Sequence, residues 1–253
     1  MINSVILFIR DTLPIFLLVS LLLSQSGMRL LPLGLGILVG LLFACGWYVN
    51  LSSLSTIADG AGLELIKVTL LLFELMMVCF FARDVVAQHR RANLWAVLLV
   101  VAITSANAIH FFIYSVAYWS NEQTDMSLIM GSVIGLGISL SLSILLHAMV
   151  NSIRYPLPKL IVLCVFCAGQ FAGIVTLLEQ IDYLNVSTRL WNSSTWVADG
   201  SEYGHLLNVL FGYEATPSSA YMFAYLTAVF LPILSAFVLR KDMGIEKYEA
   251  PSL

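Results

Sequence analysis

Seven continuous apolar runs leave this chain few folds to choose from. They lie near residues 4–24, 30–49, 63–87, 94–118, 127–151, 157–180 and 217–240. About 20 apolar residues in an α-helix cross the hydrocarbon core of a bilayer. The runs do not alternate, and they far exceed the roughly ten residues of a barrel strand, so helices are expected rather than strands. Only 11% of residues are charged and mean hydropathy is +0.93, against about 25% charged residues in soluble domains. So little charge cannot cover a surface in water; lipid is the solvent that suits it. The expected fold is all-α: a polytopic helical bundle of seven transmembrane helices, a single membrane domain over 1–253.

Charge gives the bundle a direction. If the spans alternate, Arg29, Arg83, Arg90, Arg91, Arg154, Lys159, Arg240, Lys241 and Lys247 fall on one side and Arg189 on the other. The positive-inside rule then places the N-terminus outside and the C-terminus in the cytoplasm. The start lacks a basic segment and a small-residue cleavage site, so it reads as the first span. The external side carries the acidic turn 121–125 and a loop over 182–216. Trp191, Trp196, Tyr203 and Tyr213 in that loop suit a cap lying at the interface.

Cys45, Cys79, Cys164 and Cys167 all lie inside apolar runs, which argues against a disulfide framework. Cys164-x-x-Cys167 is half a soft-metal site, and packing is the simpler role. With a net charge of −3 and no basic patch beyond the loops, nucleic acid is not an expected partner. Gly36 with Gly40, and Gly131 with Gly135, are small-xxx-small pairs. They serve packing within the bundle or a homo-oligomer seam, the former being simpler.

Ionisable groups inside spans are costly and usually functional. Arg10 and Asp11 sit in the first span; as neighbours they need not pair with each other. Glu64 and Lys67, three apart at the outer end of the third span, suggest a local ion pair. Glu74 is deeper, a candidate cation contact or a protonated acid bonded to a neighbouring helix. Asn107, His110 and Tyr114 follow i, i+3, i+7 and make one stripe, lining a path or bonding between helices. His147 is near the inner end of the fifth span, too far in depth from His110 for both to ligate one haem. The sequence has no phosphate loop, no H-E-x-x-H and no nucleophile–base constellation, so a non-enzyme is expected.

In order and spacing these residues resemble the high-affinity iron permeases, the oxidase-coupled iron transporters and their bacterial relatives, over nearly the whole length. Leu190-Trp191-Asn192 is similar to the family's Leu-Trp-Asp/Asn segment. Leu210-Phe211-Gly212-Tyr213, followed by Pro217-Ser218, resembles its Leu-x-Gly-Tyr-x-x-x-Pro-Ser lead into the last span. Arg10-Asp11-Thr12-Leu13-Pro14 sits where the family has its first R-E-G-x-E, and Phe73-Glu74 resembles Phe-Glu-Gly. Glu179-Gln180 resembles a further acidic position. The second signature would fall on Thr104-Ser105-Ala106-Asn107-Ala108, which has neither carboxylate nor arginine.

The resemblance implies seven spans with this orientation, a bacterial inner membrane, and iron or another metal cation as cargo rather than cofactor. Asp11, Glu74 and Glu179 would be the surviving acidic ligands, with His110 and Asn107 assisting and Arg10 alongside. Hard oxygen donors suit iron, and three of four signature carboxylates are gone. A second reading follows: a non-transporting membrane subunit that keeps the fold and docks an external redox or metal-binding partner.

Overall fold

The computed structural model of the chain describes residues 2–54, 56–119, 125–185 and 188–246. The side chains of His110 and Tyr114, and the turn at 121–124, lie outside the described residues. The helices are α1 (Ile2–Leu23), α2 (Leu30–Val49), the single turn α3 (Leu51–Leu54), α4 (Gly62–Val86), α5 (Ala92–Trp119), α6 (Asp125–Asn151), α7 (Pro156–Gln180), α8 (Glu202–Phe211) and α9 (Ser219–Glu246). Seven of them are long and apolar enough to cross a membrane, and they coincide with the seven apolar runs. The protein is an all-α, seven-span integral membrane bundle.

Helices alternate in direction, and their turns gather at two ends. At one end Gln25–Met28, the α4–α5 turn and Tyr155–Pro158 face a common hollow. Polar ties hold this end: Lys159 Nζ donates to the Ser24 carbonyl at 3.1 Å, and Trp95 Nε1 donates to Asp84 Oδ2 at 2.8 Å. His147 Nδ1 lies 3.1 Å from both Ser24 Oγ and the Ser20 carbonyl, joining α6 to α1.

Burial separates central from peripheral helices. The α1 span is 61% buried while those of α2, α6 and α9 are 22% buried. Leu13, Leu17, Leu18, Leu21 and Leu22 of α1 form the middle of the core with Phe81 of α4, Leu99 of α5 and Leu163 of α7. The other faces of α2 and α6 expose Leu38, Leu42, Val133 and Ile144, which suits lipid.

The glycine pairs are used inside the chain. A methyl on Gly40 would lie 2.6 Å from Thr104 Cβ of α5, and one on Gly36 3.2 Å from the Val97 carbonyl. Gly135 meets α1 in the same way, 2.7 Å from Phe8 Cβ. The α2–α5 and α1–α6 seams thus depend on close backbone approach. Ser105 Oγ, donating to the Gly40 carbonyl at 3.2 Å, and the Thr12–Ser139 hydroxyl pair at 3.1 Å add hydrogen bonds to those seams.

The 182–216 segment is a built cap. Leu190 N–H donates to the Pro217 carbonyl at 3.0 Å and Ser193 N–H to that of Ala215 at 2.9 Å, so its start and end pair antiparallel. Within it the aromatic loop folds a ten-residue helix, α8. Ser201 caps its N-terminus by accepting from Gly204 N–H at 3.0 Å. Gly212 ends it at φ +67°, a left-handed turn that favours glycine. Asn208 Nδ2 then donates to the Tyr213 carbonyl at 2.9 Å.

Candidate functional site

A cavity of about 420 Å³ lies in the end of the bundle beneath this cap. Arg10, Asp11 and Pro14 of α1 form one wall and Glu64, Lys67 and Leu71 of α4 another. Asn107 of α5, Gln170 and Gly173 of α7, Asn208 of α8 and Glu214 complete it. Asp11 is six residues inside the apolar window beginning at Val5, about 9 Å of helix. Asp11 therefore lies within the span, buried in protein.

The first helix supplies the central carboxylate. Asp11 is 3% exposed. Its Oδ1 accepts from Arg10 Nε at 3.2 Å, so these neighbours do pair: the long guanidinium arm folds back onto the short carboxylate. Its other oxygen, Oδ2, is buried with no hydrogen-bond partner. Pro14, three residues on, has no N–H for the helix ladder at this level.

The expected local pair of Glu64 with Lys67 does not form: among the described residues the ion pairs within 4 Å are Arg10–Asp11, His89–Asp84 and Arg189–Glu179. Spacing along one helix sets only proximity, and here both side chains turn into the cavity. Glu64 Oε2 is buried without a partner. Lys67 instead sits in the field of Asp11, Glu64 and Arg10.

Three amides in the walls use their nitrogens on backbone. Asn107 Nδ2 donates to the Ile103 carbonyl at 3.0 Å, Gln170 Nε2 to that of Val209 at 3.2 Å, and Asn208 Nδ2 to that of Tyr213. Their side-chain oxygens remain as acceptors. The cavity thus combines two unpartnered carboxylate oxygens with amide oxygens, all hard donors.

The other expected ligands lie elsewhere. Glu74 is 1% exposed and beyond the cavity wall formed by Leu71. Its carboxyl faces the Cys167 thiol, a weak partner, and neither oxygen makes a hydrogen bond of ordinary geometry. Glu179 meets Arg189 Nη2 at 3.4 Å, and Arg189 Nη1 donates to the Thr216 carbonyl at 3.1 Å, tying α7 to the cap. Of the stripe on α5, Asn107 reaches the cavity; the side chain of His110 lies outside the described residues. Cys164 and Cys167 are buried, unpaired and packed in the core. Among the described residues, no three His, Cys, Asp or Glu side chains cluster tightly enough to hold a bare metal ion.

Glu214, at the rim, was not among the residues expected from the sequence. Burial pushes its carboxyl above the ordinary 4.5, with Asp199 adding repulsion and Arg189 opposing. A raised folded value means the folded chain holds this proton more tightly, so this contribution to stability falls as pH rises through 4.5 and on through the raised value. Glu214→Gln is therefore expected to flatten the pH dependence of the apparent melting temperature within that window. An unchanged slope would remove Glu214 as its source.

Fold and cavity together define a polytopic helical membrane protein with a polar chamber buried under a folded cap. Comparison with family models, with curated proteins and with solved structures finds no match to this chain.

Proposed function

We propose that this protein is a permease of the iron-permease kind, carrying iron or another divalent metal cation through the α1–α4–α5–α7 cavity. One observation supports this above the rest. Asp11 and Glu64, each with a buried carboxylate oxygen that has no partner, line one chamber together with the amides of Asn107 and Gln170 and the cations Arg10 and Lys67. An unpaired carboxylate oxygen in such a place is costly, and a cation offsets that cost. The chamber has room for water, so the ion retains part of its hydration, as hard divalent ions do.

The Lys and Arg bias supports an outside N-terminus and a cytoplasmic C-terminus, with the chamber loaded from outside, and the family resemblance implies a bacterial inner membrane as the setting. A fluorescent protein fused to the C-terminus should then fold and glow in cells, whereas alkaline phosphatase fused there should stay inactive. The transport test is uptake of Fe²⁺ or Mn²⁺ into proteoliposomes holding the purified chain. Uptake above that of empty vesicles is expected; none for either ion would defeat the proposal.

The cap favours a second reading. Trp196 is 90% exposed and Tyr203 74% exposed, more than a cap needs for its own packing. A redox or metal-binding protein docking there would deliver cargo or use the bundle only as a membrane seat. A chain that purifies alone in mild detergent, with full uptake, counts against it.

A further inference from the structure

The cavity contains its own cation. Lys67 projects from α4 into the chamber that also holds Asp11 and Glu64. Among the described residues no carboxylate lies within 4 Å of its ammonium, and the three recorded ion pairs do not include it. It is nonetheless in the field of both carboxylates. Arg10 behaves differently: its guanidinium is bonded to Asp11 Oδ1, and its side chain is 45% exposed. Lys67 is thus the cation of the chamber that no direct salt bridge fixes, on a flexible four-carbon stem.

Resting on the permease reading above, we propose that the Lys67 ammonium is a resident counter-ion that determines the cation affinity of this site. It supplies the positive charge that Asp11 Oδ2 and Glu64 Oε2 lack. A divalent metal ion entering the chamber must replace it and meets its repulsion. Glu214 at the rim and Arg10 beside Asp11 contribute fixed charges of opposite sign, so Lys67 decides the balance. The native chamber then binds divalent ions weakly and releases them readily, as a carrier must, and Lys67 prevents tight trapping.

Removing the charge should tighten binding. At the effective dielectric of a protein interior, one unit charge a few ångströms away changes divalent-ion affinity on the order of 10- to 100-fold. The probe is Mn²⁺, whose free aqueous ion has a six-line electron paramagnetic resonance signal that fades on binding. Purified wild type, Lys67→Met, Lys67→Gln, Lys67→Arg and the double variant Asp11→Asn/Glu64→Gln are titrated in the same detergent, each checked for monodispersity.

The expected result is binding by Lys67→Met and Lys67→Gln at least tenfold tighter than wild type. Lys67→Arg should match wild type and the double variant should lose binding. The two neutral variants differ in polarity, so a packing defect in one does not decide the outcome. If wild type binds and neither neutral variant binds more tightly, the resident-ion proposal is overturned and the permease reading stands. If wild type and all three Lys67 variants bind no Mn²⁺, both fall.

Discussion

Replacing Asp11 with asparagine is expected to cut divalent-cation uptake at least tenfold while leaving the bundle folded. The change keeps the shape of a buried side chain and removes the charge that faces the chamber. A cation held by a carboxylate in a protein interior gains several kilocalories per mole from that charge, and about 1.4 kcal/mol is already a factor of ten. Folding should change little. The Arg10–Asp11 pair has one partner whose side chain is 45% exposed, and ion pairs with an exposed partner contribute about 1 kcal/mol or less. Initial uptake into proteoliposomes, measured beside the apparent melting temperature, separates the two effects. Glu74→Gln is the contrast. Its carboxyl lies outside the chamber, so uptake within about twofold of wild type is expected by the same tenfold-per-1.4 kcal/mol scale. Equal uptake by wild type and Asp11→Asn would remove Asp11 from the site.

Gly169→Val is expected to be the most damaging single substitution at the junction of bundle and cap. A methyl at Gly169 would lie 2.6 Å from the Gly212 nitrogen and 2.9 Å from its Cα. These are backbone atoms, and Gly212 is fixed by its own left-handed conformation and by its N–H bond to the Asn208 carbonyl at 2.7 Å. Tyr221 Oη also donates to the Gly212 carbonyl, at 2.9 Å. Neither side can yield cheaply, so the loss should reach the upper end of overpacking costs, about 3 kcal/mol. Its neighbour Gly173 one turn on is a control, because an added methyl there meets nothing within 4 Å. Gly173→Ala should melt with wild type and Gly169→Val well below it, by circular dichroism in detergent. If both melt together, the cap does not depend on this contact.

The seven spans were legible because lipid leaves little choice: a backbone crossing hydrocarbon must satisfy its own hydrogen bonds, so each span is one long apolar run. Gly36, Gly40 and Gly135 were legible as packing devices, and the seams they serve followed only from knowing which helices touch. The helix α8 was missed because its aromatics were read as an interfacial cap, although Tyr203, Leu206, Leu207 and Leu210 stand at i, i+3, i+4 and i+7. Its punctuation was present, with Ser201 before it, Glu202 in its first turn and Gly212 after. The lining of the cavity was legible in part. Asp11 and Asn107 share the chamber as ligand candidates, while Glu74 and Glu179 serve other surroundings. Glu64 and Lys67 were misassigned to each other because a spacing of three describes one helix, while Asp11 across the chamber competes for the same lysine. Glu214 could have been suspected from its place beside Gly212-Tyr213, since a turn that packs on α7 brings its next side chain to the same rim.

The cation is proposed to bind in the one chamber walled by α1, α4, α5 and α7. Anomalous diffraction at the manganese absorption edge, from crystals of the Lys67→Met variant grown with Mn²⁺, tests it most directly. A single strong peak between Asp11 and Glu64 is expected. A peak at Glu74 and Cys167 instead, or none inside the bundle with Mn²⁺ in excess, would contradict it.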